Sequence, residues 1–444
     1  MTAAPTGPDA QVLRPWRPTH ALVRAFVLGA LGALGAITLR RADLLILATP
    51  VLAAAGWGWW MRPRHIASAT VRVEHPRLVE GAVTTCTLEV ALPQGAEEVL
   101  AHLSGDPFVA IGEATAAERS GCPTSPPVHL RRAAWSVRAT RWGARRVGPV
   151  LVSVRSPWWA YRTDVARIDP VEVTAVPQRS GFDAGAPTPH PEGLVGVNRS
   201  TGVGSGAELA SIRPFQAGDR LRRIHWPTSL RTGEFHVTTT HADQDAHVAL
   251  VVDAFSDLGP REGVDGRATS LDLTVRAAAS VAAHYLGSGD RVSLRVLGTH
   301  GTPRLPARSG PTQARRIEDV LAAVEPATDR ELSRRQLMDG LTSGCVVVVL
   351  TPLVHPRMAG AVASIAARGL TTIAVDTLPE HLWADAADVH LALAWRLRRL
   401  ACDEDIHRLG GVGVPVVPWR GPGSLDQVLR DAARRARRPR MARR

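Results

Sequence analysis

The sequence predicts a multidomain protein: an N-terminal transmembrane helical hairpin, an immunoglobulin-like β-sandwich, and then an α/β domain built on a doubly wound parallel sheet. Three observations carry that prediction. Two apolar runs before residue 61 are each about long enough to cross hydrocarbon as a helix. Between residues 66 and 176 short apolar runs alternate at period two, the pattern of half-buried antiparallel strands. Beyond residue 247, near-continuous Val and Leu runs alternate with helical stretches, as expected of strands buried on both faces.

A length of 444 residues leaves room for two or three domains, and 45% hydrophobic content excludes a wholly disordered chain. The formal charge of +12 raises the question of nucleic acid, but all 53 basic residues are arginine, which reads as the codon bias of a GC-rich coding sequence. Much of the excess sits in the tail from Arg434 to Arg444, a like-charge block of the kind that is usually solvated. No specific nucleic-acid partner is expected. Cys86, Cys122, Cys345 and Cys402 lack metal or redox spacing and read as reduced thiols.

Residues 1–20 are polar and Pro-rich without a period, and are expected to be disordered. Ala21 to Leu39 and Leu44 to Trp60 form the hairpin of residues 21–60, joined by Arg40-Arg41-Ala42-Asp43. Trp57, Trp59 and Trp60, followed by Arg62 and Arg64, suit an interfacial anchor. A cleaved signal peptide would show one run and a small-residue cleavage site; two runs with a short link fit a membrane hairpin better than that or a buried helical pair. Arginine placement favours both ends in the cytoplasm, so the protein is expected at the cell membrane, multi-pass, with most of its mass cytoplasmic.

Strands of the β-sandwich, residues 66–176, are expected at Ala69 to Glu74, Val83 to Leu92, Trp135 to Ala139, Arg146 to Arg155 and Val171 to Val176, while Gly95 to Pro127 carries no clear pattern. Residues 177–210, rich in Gly, Pro and Ser, read as a linker. In the α/β region, residues 211–430, strands are expected at His247 to Asp253, Arg291 to Leu297, Cys345 to Thr351, Leu370 to Asp376 and Val414 to Pro418. Helices are expected at Thr269 to Leu286, Thr312 to Val324, Glu331 to Gly340, Pro356 to Arg368 and Ser424 to Arg437, with a basic tail over 431–444.

The chain is organised around Phe215 to Gly233, FQAGDRLRRIHWPTSLRTG, where charged and aromatic residues crowd before the first parallel strand. One reading is a docking surface, with Arg220, Arg222 and Arg223 facing an acidic partner and Trp226 as a hot-spot anchor. The other is an internal clamp, with Asp219 paired to an arginine of the same segment and Trp226 packed on the sheet. The clamp is the expectation for Asp219, Ile224 and Trp226, and both readings stay open for the arginines. A buried Trp226 cut to Ala would cost about 3–5 kcal/mol. Asp219, His225 and Ser229 have the residue types of a triad but not its geometry, and no nucleophile elbow, phosphate loop or zinc spacing occurs. The protein is therefore not expected to be an enzyme.

The segments Ser211-Ile-Arg-Pro-Phe-Gln-Ala-Gly-Asp219, Arg222-Arg-Ile-His-Trp226 and Arg231-Thr-Gly233, followed by a strand ending at Asp253, resemble the signature of the bacterial domain of unknown function 58 family. Arg141-Trp-Gly-Ala-Arg-Arg-Val-Gly-Pro149 resembles the turn and strand that precede that family's core. The resemblance implies motif residues Arg213, Phe215, Gly218, Asp219, Arg222, Arg223, Ile224, Trp226 and Arg231. It also implies a von Willebrand factor A-like domain, a fold that often holds a divalent ion in an Asp-x-Ser-x-Ser loop. Here the loop is Asp253-Ala-Phe-Ser-Asp257, with Phe255 in the first serine's place and Thr351-Pro352 where a carboxylate is expected. Asp253, Ser256, Asp257 and Thr351 make at most a degenerate Mg2+ site, and no cofactor is expected. The implied role is a protein-binding scaffold or adaptor beside a MoxR-type AAA ATPase, in assembly or maturation of envelope complexes. The alternatives are a metal-dependent hydrolase of envelope metabolism and a nucleic-acid binder using the arginine tail.

Overall fold

The computed structural model describes residues 11–119, 129–179, 203–216, 224–241, 247–287, 289–299, 303–326, 337–338, 340–341, 345–380, 382–383 and 388–420. The chain divides into two compact units, residues 1–176 and 177–444.

The first unit opens with a correction. Residues 1–10 lie outside the described set, but from residue 11 the expected disorder gives way to two short strands, Gln11–Val12 and Trp16–Pro18. The first pairs with Ser68–Val73 and the second with Tyr161–Thr163. Leu13 between them is 2% exposed in the core, and the Trp16 indole donates to the His65 carbonyl at 2.9 Å. The apolar side chains that hold this segment find their partners far along the chain, so no local period betrays them.

Helices His20–Thr38 and Ala42–Trp60 come next. Each is long and apolar enough to cross a membrane, and only 11% and 17% of their apolar windows are buried, unlike the helices of a soluble core. They meet through small residues. A Cβ at Gly29 would come within 2.7 Å of Leu52, and one at Gly32 within 3.0 Å of the Ala48 Cβ, so the glycines permit close backbone approach. Phe26, Leu28, Ile46 and Leu47 point away from that seam and are exposed.

Two sheets complete this unit. Gln11–Val12, Ser68–Val73, Val83–Leu92, His129–Ala139 and Val109–Arg119 form one antiparallel sheet in that spatial order. The other is organised on Gly143–Arg155, flanked by Glu98–Gly105 on one side and by Tyr161–Thr163, Ala166–Ile168 and Val171–Val176. Arg77–Val79 joins Val171–Val176 in parallel. Cys86, Leu88, Val90 and Leu92 of the first sheet share a core with Val150, Val152 and Val154 of the second, which is the period-two alternation expressed as burial. The stretch without a clear pattern supplies the strands Glu98–Gly105 and Val109–Arg119.

The second unit contains an antiparallel pair, Val203–Pro214 with His236–His241, whose first strand begins inside the stretch read as linker. Its main sheet runs Arg304–Arg308, Arg291–Leu297, His247–Asp253, Val346–Thr351, Thr371–Asp376, Val416–Pro418, with all pairings parallel except the first. Ala249, Val251, Val347 and Val349 pack with Met358, Val362 and Ile365 of helix Met358–Ala367 and with Trp395 and Cys402 of helix Val389–Gly411. Leu250 and Val252 are equally buried on the opposite face, beside helix Ser270–Gly287. Helix Pro311–Ala322 lies where a helix is expected. The expected helix at 424–437 and most of that at 331–340 lie outside the described residues.

Candidate functional site

Two places in the second unit bear on function: the signature hairpin and the carboxyl edge of the parallel sheet. Within the signature, Gly218, Asp219, Arg220, Arg222 and Arg223 lie outside the described residues. The described part includes a short helix, Trp226–Thr232, with Pro227 in its first turn, where a missing N–H is harmless, and Gly233 after its last. Gly233 takes φ 77°, the left-handed closing conformation that glycine adopts without steric cost, and its N–H donates to the Ser229 carbonyl at 3.0 Å. The helix is fastened to the hairpin from several sides. Ile224 bridges Val237, the His225 N–H donates to the His236 carbonyl at 2.8 Å, and the Phe215 N–H donates to the Phe235 carbonyl at 2.8 Å. The buried Ser229 hydroxyl donates to the His225 carbonyl at 3.0 Å and accepts from the His236 N–H at 2.9 Å. The His225 ring meets the Thr228 hydroxyl at 2.8 Å, so Ser229 and the His225 ring are engaged apart from one another rather than as nucleophile and base.

This fastening leaves the apolar side chains outward. Trp226 is 57% exposed, Phe235 58% and Leu230 81%, which corrects the expectation of a buried Trp226. The Trp226 and Phe235 rings stand edge to face with centroids 6.3 Å apart, and Phe215 reaches Phe235 at 6.5 Å. Ile224 is partly buried, and Arg231 is exposed in the last turn of the helix, where a cation complements the helix dipole. Arg213 donates to the Pro214 carbonyl at 3.1 Å. Sequence reasoning missed Leu230 and Phe235; the available signal was two large apolar residues flanking a glycine turn in polar surroundings.

At the sheet's carboxyl edge the structure brings Asp253 and Thr351 together. The Thr351 hydroxyl donates to Asp253 Oδ2 at 2.6 Å, and the Phe255 N–H donates to Asp253 Oδ1 at 3.1 Å. Thr351 in turn accepts from the Leu353 N–H at 2.9 Å. Asp253 is 1% exposed, and burial pushes its carboxyl above the ordinary range against the pull of those hydrogen bonds. Phe255 is buried, its ring centroid 4.4 Å from that of His355, and a Cβ on Gly298 would come within 2.4 Å of the Phe255 nitrogen. Asp257 turns to Arg261, with Oδ2 3.1 Å from Nε, and Ser256 is partly buried beside it.

Asp376, on the next strand, accepts from the Leu378 N–H at 2.9 Å and from Arg399 at 3.3 Å; burial likewise pushes its carboxyl up. Thr269 caps helix Ser270–Gly287 reciprocally with Asp272, and the Thr274 and Thr377 hydroxyls meet at 2.6 Å. Asp272, Asp376 and Arg399 carry no signal of their own in the sequence, because strand ends and caps look alike until their neighbours are known.

Mg2+ requires hard oxygen donors converging in an octahedron. The donors here do not fit that demand: Asp253 faces Thr351 and an amide, Asp257 faces Arg261, and an aromatic ring occupies the intervening position of the loop. Among the described residues no three His, Cys, Asp or Glu side chains gather closely enough to hold a metal ion.

Comparison with known proteins agrees with the sequence resemblance. Residues 211–383 match the model of the family described as protein of unknown function DUF58. The uncharacterized protein Rv1480 of Mycobacterium tuberculosis is 33% identical over 107 residues, 24% of this chain and 33% of that protein. The uncharacterized protein Mb1516 of Mycobacterium bovis matches with the same identity and coverage. The alignment thus spans about a third of the length of these curated relatives. The helix Trp226–Thr232 with its aromatic neighbours, and Asp253, Thr351 and Asp376 at the sheet edge, fall within the family match, so the chain carries a DUF58 region over residues 211–383.

Proposed function

We propose that the protein is a membrane-anchored, non-catalytic scaffold or adaptor whose signature hairpin docks a protein partner, in keeping with a MoxR-type AAA ATPase acting on envelope-associated complexes. The observation that carries this reading is the exposed cluster of Trp226, Phe235 and Leu230 on a helix and hairpin held by backbone hydrogen bonds. Aromatic side chains on a rigid support are the residues from which interface hot spots are made. In the same reading His20–Thr38 and Ala42–Trp60 cross the membrane, leaving both ends in the cytoplasm. The two sheets of the first unit form an immunoglobulin-like β-sandwich, and the parallel sheet is a von Willebrand factor A-like domain that has lost its metal site. The inward commitment of the Asp253 oxygens supports a binding rather than a hydrolytic role.

The test is affinity capture from gently solubilised membranes with the full chain and with Trp226→Ala and Phe235→Ala. Co-purification of an AAA ATPase that both substitutions abolish is the expected result. Undiminished capture would remove the hairpin from the interface. A cysteine introduced near Gly421 tests topology: in intact cells it should resist an impermeant thiol reagent, and reaction with that reagent would exclude a cytosolic partner.

A further inference from the structure

We infer that Trp158 and Trp159 sit in the headgroup layer of the bilayer that holds the helical hairpin, so that the first unit grips an anionic phospholipid surface through a strand loop as well as through its helices. The inference rests on the reading of the two helices as membrane spans. Both tryptophans are exposed, Trp158 by 79% and Trp159 by 61%, and both take left-handed backbone conformations, with φ 58° and 54°. Bulky residues adopt that region only at a cost in free energy, and two in succession are held there by what surrounds them.

The surroundings place the loop at the foot of the hairpin. Thr19, the N-cap of helix His20–Thr38, donates its hydroxyl to the Trp159 carbonyl at 2.7 Å and its N–H to the Ala160 carbonyl at 2.9 Å. A Cβ on Gly58, in the last turn of the second helix, would lie 3.0 Å from Leu22 and 3.2 Å from the Ala160 Cβ. The loop is therefore level with the helix ends that carry Trp57, Trp59 and Trp60, each of them more than half exposed. The neighbouring turn is at the same level, since a Cβ on Gly95 would come 3.0 Å from the Met61 carbonyl oxygen.

Five exposed indoles carried on backbone that meets at the foot of the hairpin fit the aromatic belt of a membrane–water interface, where an amphipathic ring is half wet and half apolar. Cations accompany them. The exposed Arg62 and Arg64 come directly after the second helix, while Arg155, which lies over the Trp159 ring 4.5 Å from its centroid, is paired with Glu98 at 3.6 Å. Arginines at this depth attract anionic headgroups.

The experiment uses the full chain in anionic phospholipid vesicles, with Cys122→Ser and one introduced cysteine carrying an environment-sensitive fluorophore. The other native cysteines, Cys86, Cys345 and Cys402, are buried. Labels are placed in turn at Leu31, in the middle of the first helix, at Trp158, at Trp159, and at Val83. Val83 lies eight residues along its strand from Ala91, the partner of the membrane-proximal Ser68, which is about 27 Å at strand rise. Quenching by lipids brominated deep in the acyl chain should be strong at Leu31. Quenching by headgroup-labelled lipids should be several-fold stronger at positions 158 and 159 than at Val83. If Leu31 is quenched while 158 and 159 behave like Val83, the loop contact is wrong and the membrane hairpin stands. If Leu31 is not quenched either, the hairpin reading fails and the loop contact falls with it.

Discussion

The signature hairpin and the carboxyl edge of the parallel sheet belong to one family region, yet they dispose of their aromatic and charged groups in opposite ways. At the sheet edge Phe255 is buried and Asp253 commits both oxygens to Thr351 and a backbone amide, so the loop is sealed from within. On the hairpin, hydrogen bonds between main-chain groups and Ser229 do the fastening, and Trp226, Leu230 and Phe235 are left facing solvent. A position that satisfies itself internally supports the fold; one that is rigid but unsatisfied on its outer side is available to a partner. The two places should therefore fail differently when cut.

The largest effect is expected at the sealed edge. Phe255→Ala removes a ring packed among Leu297, Leu353 and Met358 and should destabilise the protein by about 3–5 kcal/mol, seen as a lower melting temperature or lost expression. A loss below about 1 kcal/mol would mean that the loop is not sealed by this ring.

The buried carboxyl makes a smaller, pH-dependent contribution of defined sign. Because burial raises the folded-state value of Asp253, the folded protein holds its proton to higher pH than the unfolded chain does. Its contribution to stability should then be greatest below the unfolded carboxylate value, about 3.9, and be lost as pH rises through the raised folded value. Asp376 adds to the same trend. Asp253→Asn should flatten the pH dependence of melting without abolishing it. An unchanged slope would show that Asp253 is already ionised within the fold.

Smaller still is the expected response to metal. With Asp253 and Asp257 turned to protein donors, Mg2+ or Mn2+ should bind no more tightly than about millimolar, as for a site short of charged ligands. Calorimetry giving micromolar affinity that vanishes in Asp253→Ala would reopen this edge as a metal site.

The contrast also explains what the sequence could disclose. The strands His247–Asp253 and Arg291–Leu297 fall where their apolar runs end, because a strand buried on both faces declares itself in consecutive residues. Asp253 and Thr351 were each legible as the end of a strand and as members of a degenerate metal site, but not as partners in a hydrogen bond. Helix Val389–Gly411 was not: its buried residues Trp395, Cys402 and Leu409 stand seven apart, with Ile406 partly buried beside them, while Val389, Leu393, Leu397 and Leu400 are exposed. Apolar residues on several faces erase the amphipathic period. Strand Gln11–Val12 escaped for another reason, since its pairing with Ser68–Val73 is non-local. Trp226 was legible as important but not as exposed, because residue type fixes the area available for burial and not the side from which it is covered.

A small effect on stability, and the sharpest test of the comparison, is expected at Trp226. With 57% of the residue already in water and its ring meeting Phe235 edge to face, Trp226→Ala should cost no more than about 1 kcal/mol, well below the loss at Phe255. Helix Trp226–Thr232 should survive, because its closing bonds involve Ser229, His225 and Gly233 rather than the indole. Partner capture should nonetheless fall at least tenfold, as for an aromatic anchor worth about 1.4 kcal/mol or more at an interface. Arg231→Ala, at an exposed position beside the cluster, should leave melting within about 0.5 kcal/mol of the parent and weaken capture less than Trp226→Ala does. Melting and capture measured on the same preparations separate the two kinds of position. If Trp226→Ala unfolds the protein as severely as Phe255→Ala, the hairpin is an internal clamp like the sheet edge and its docking role is wrong.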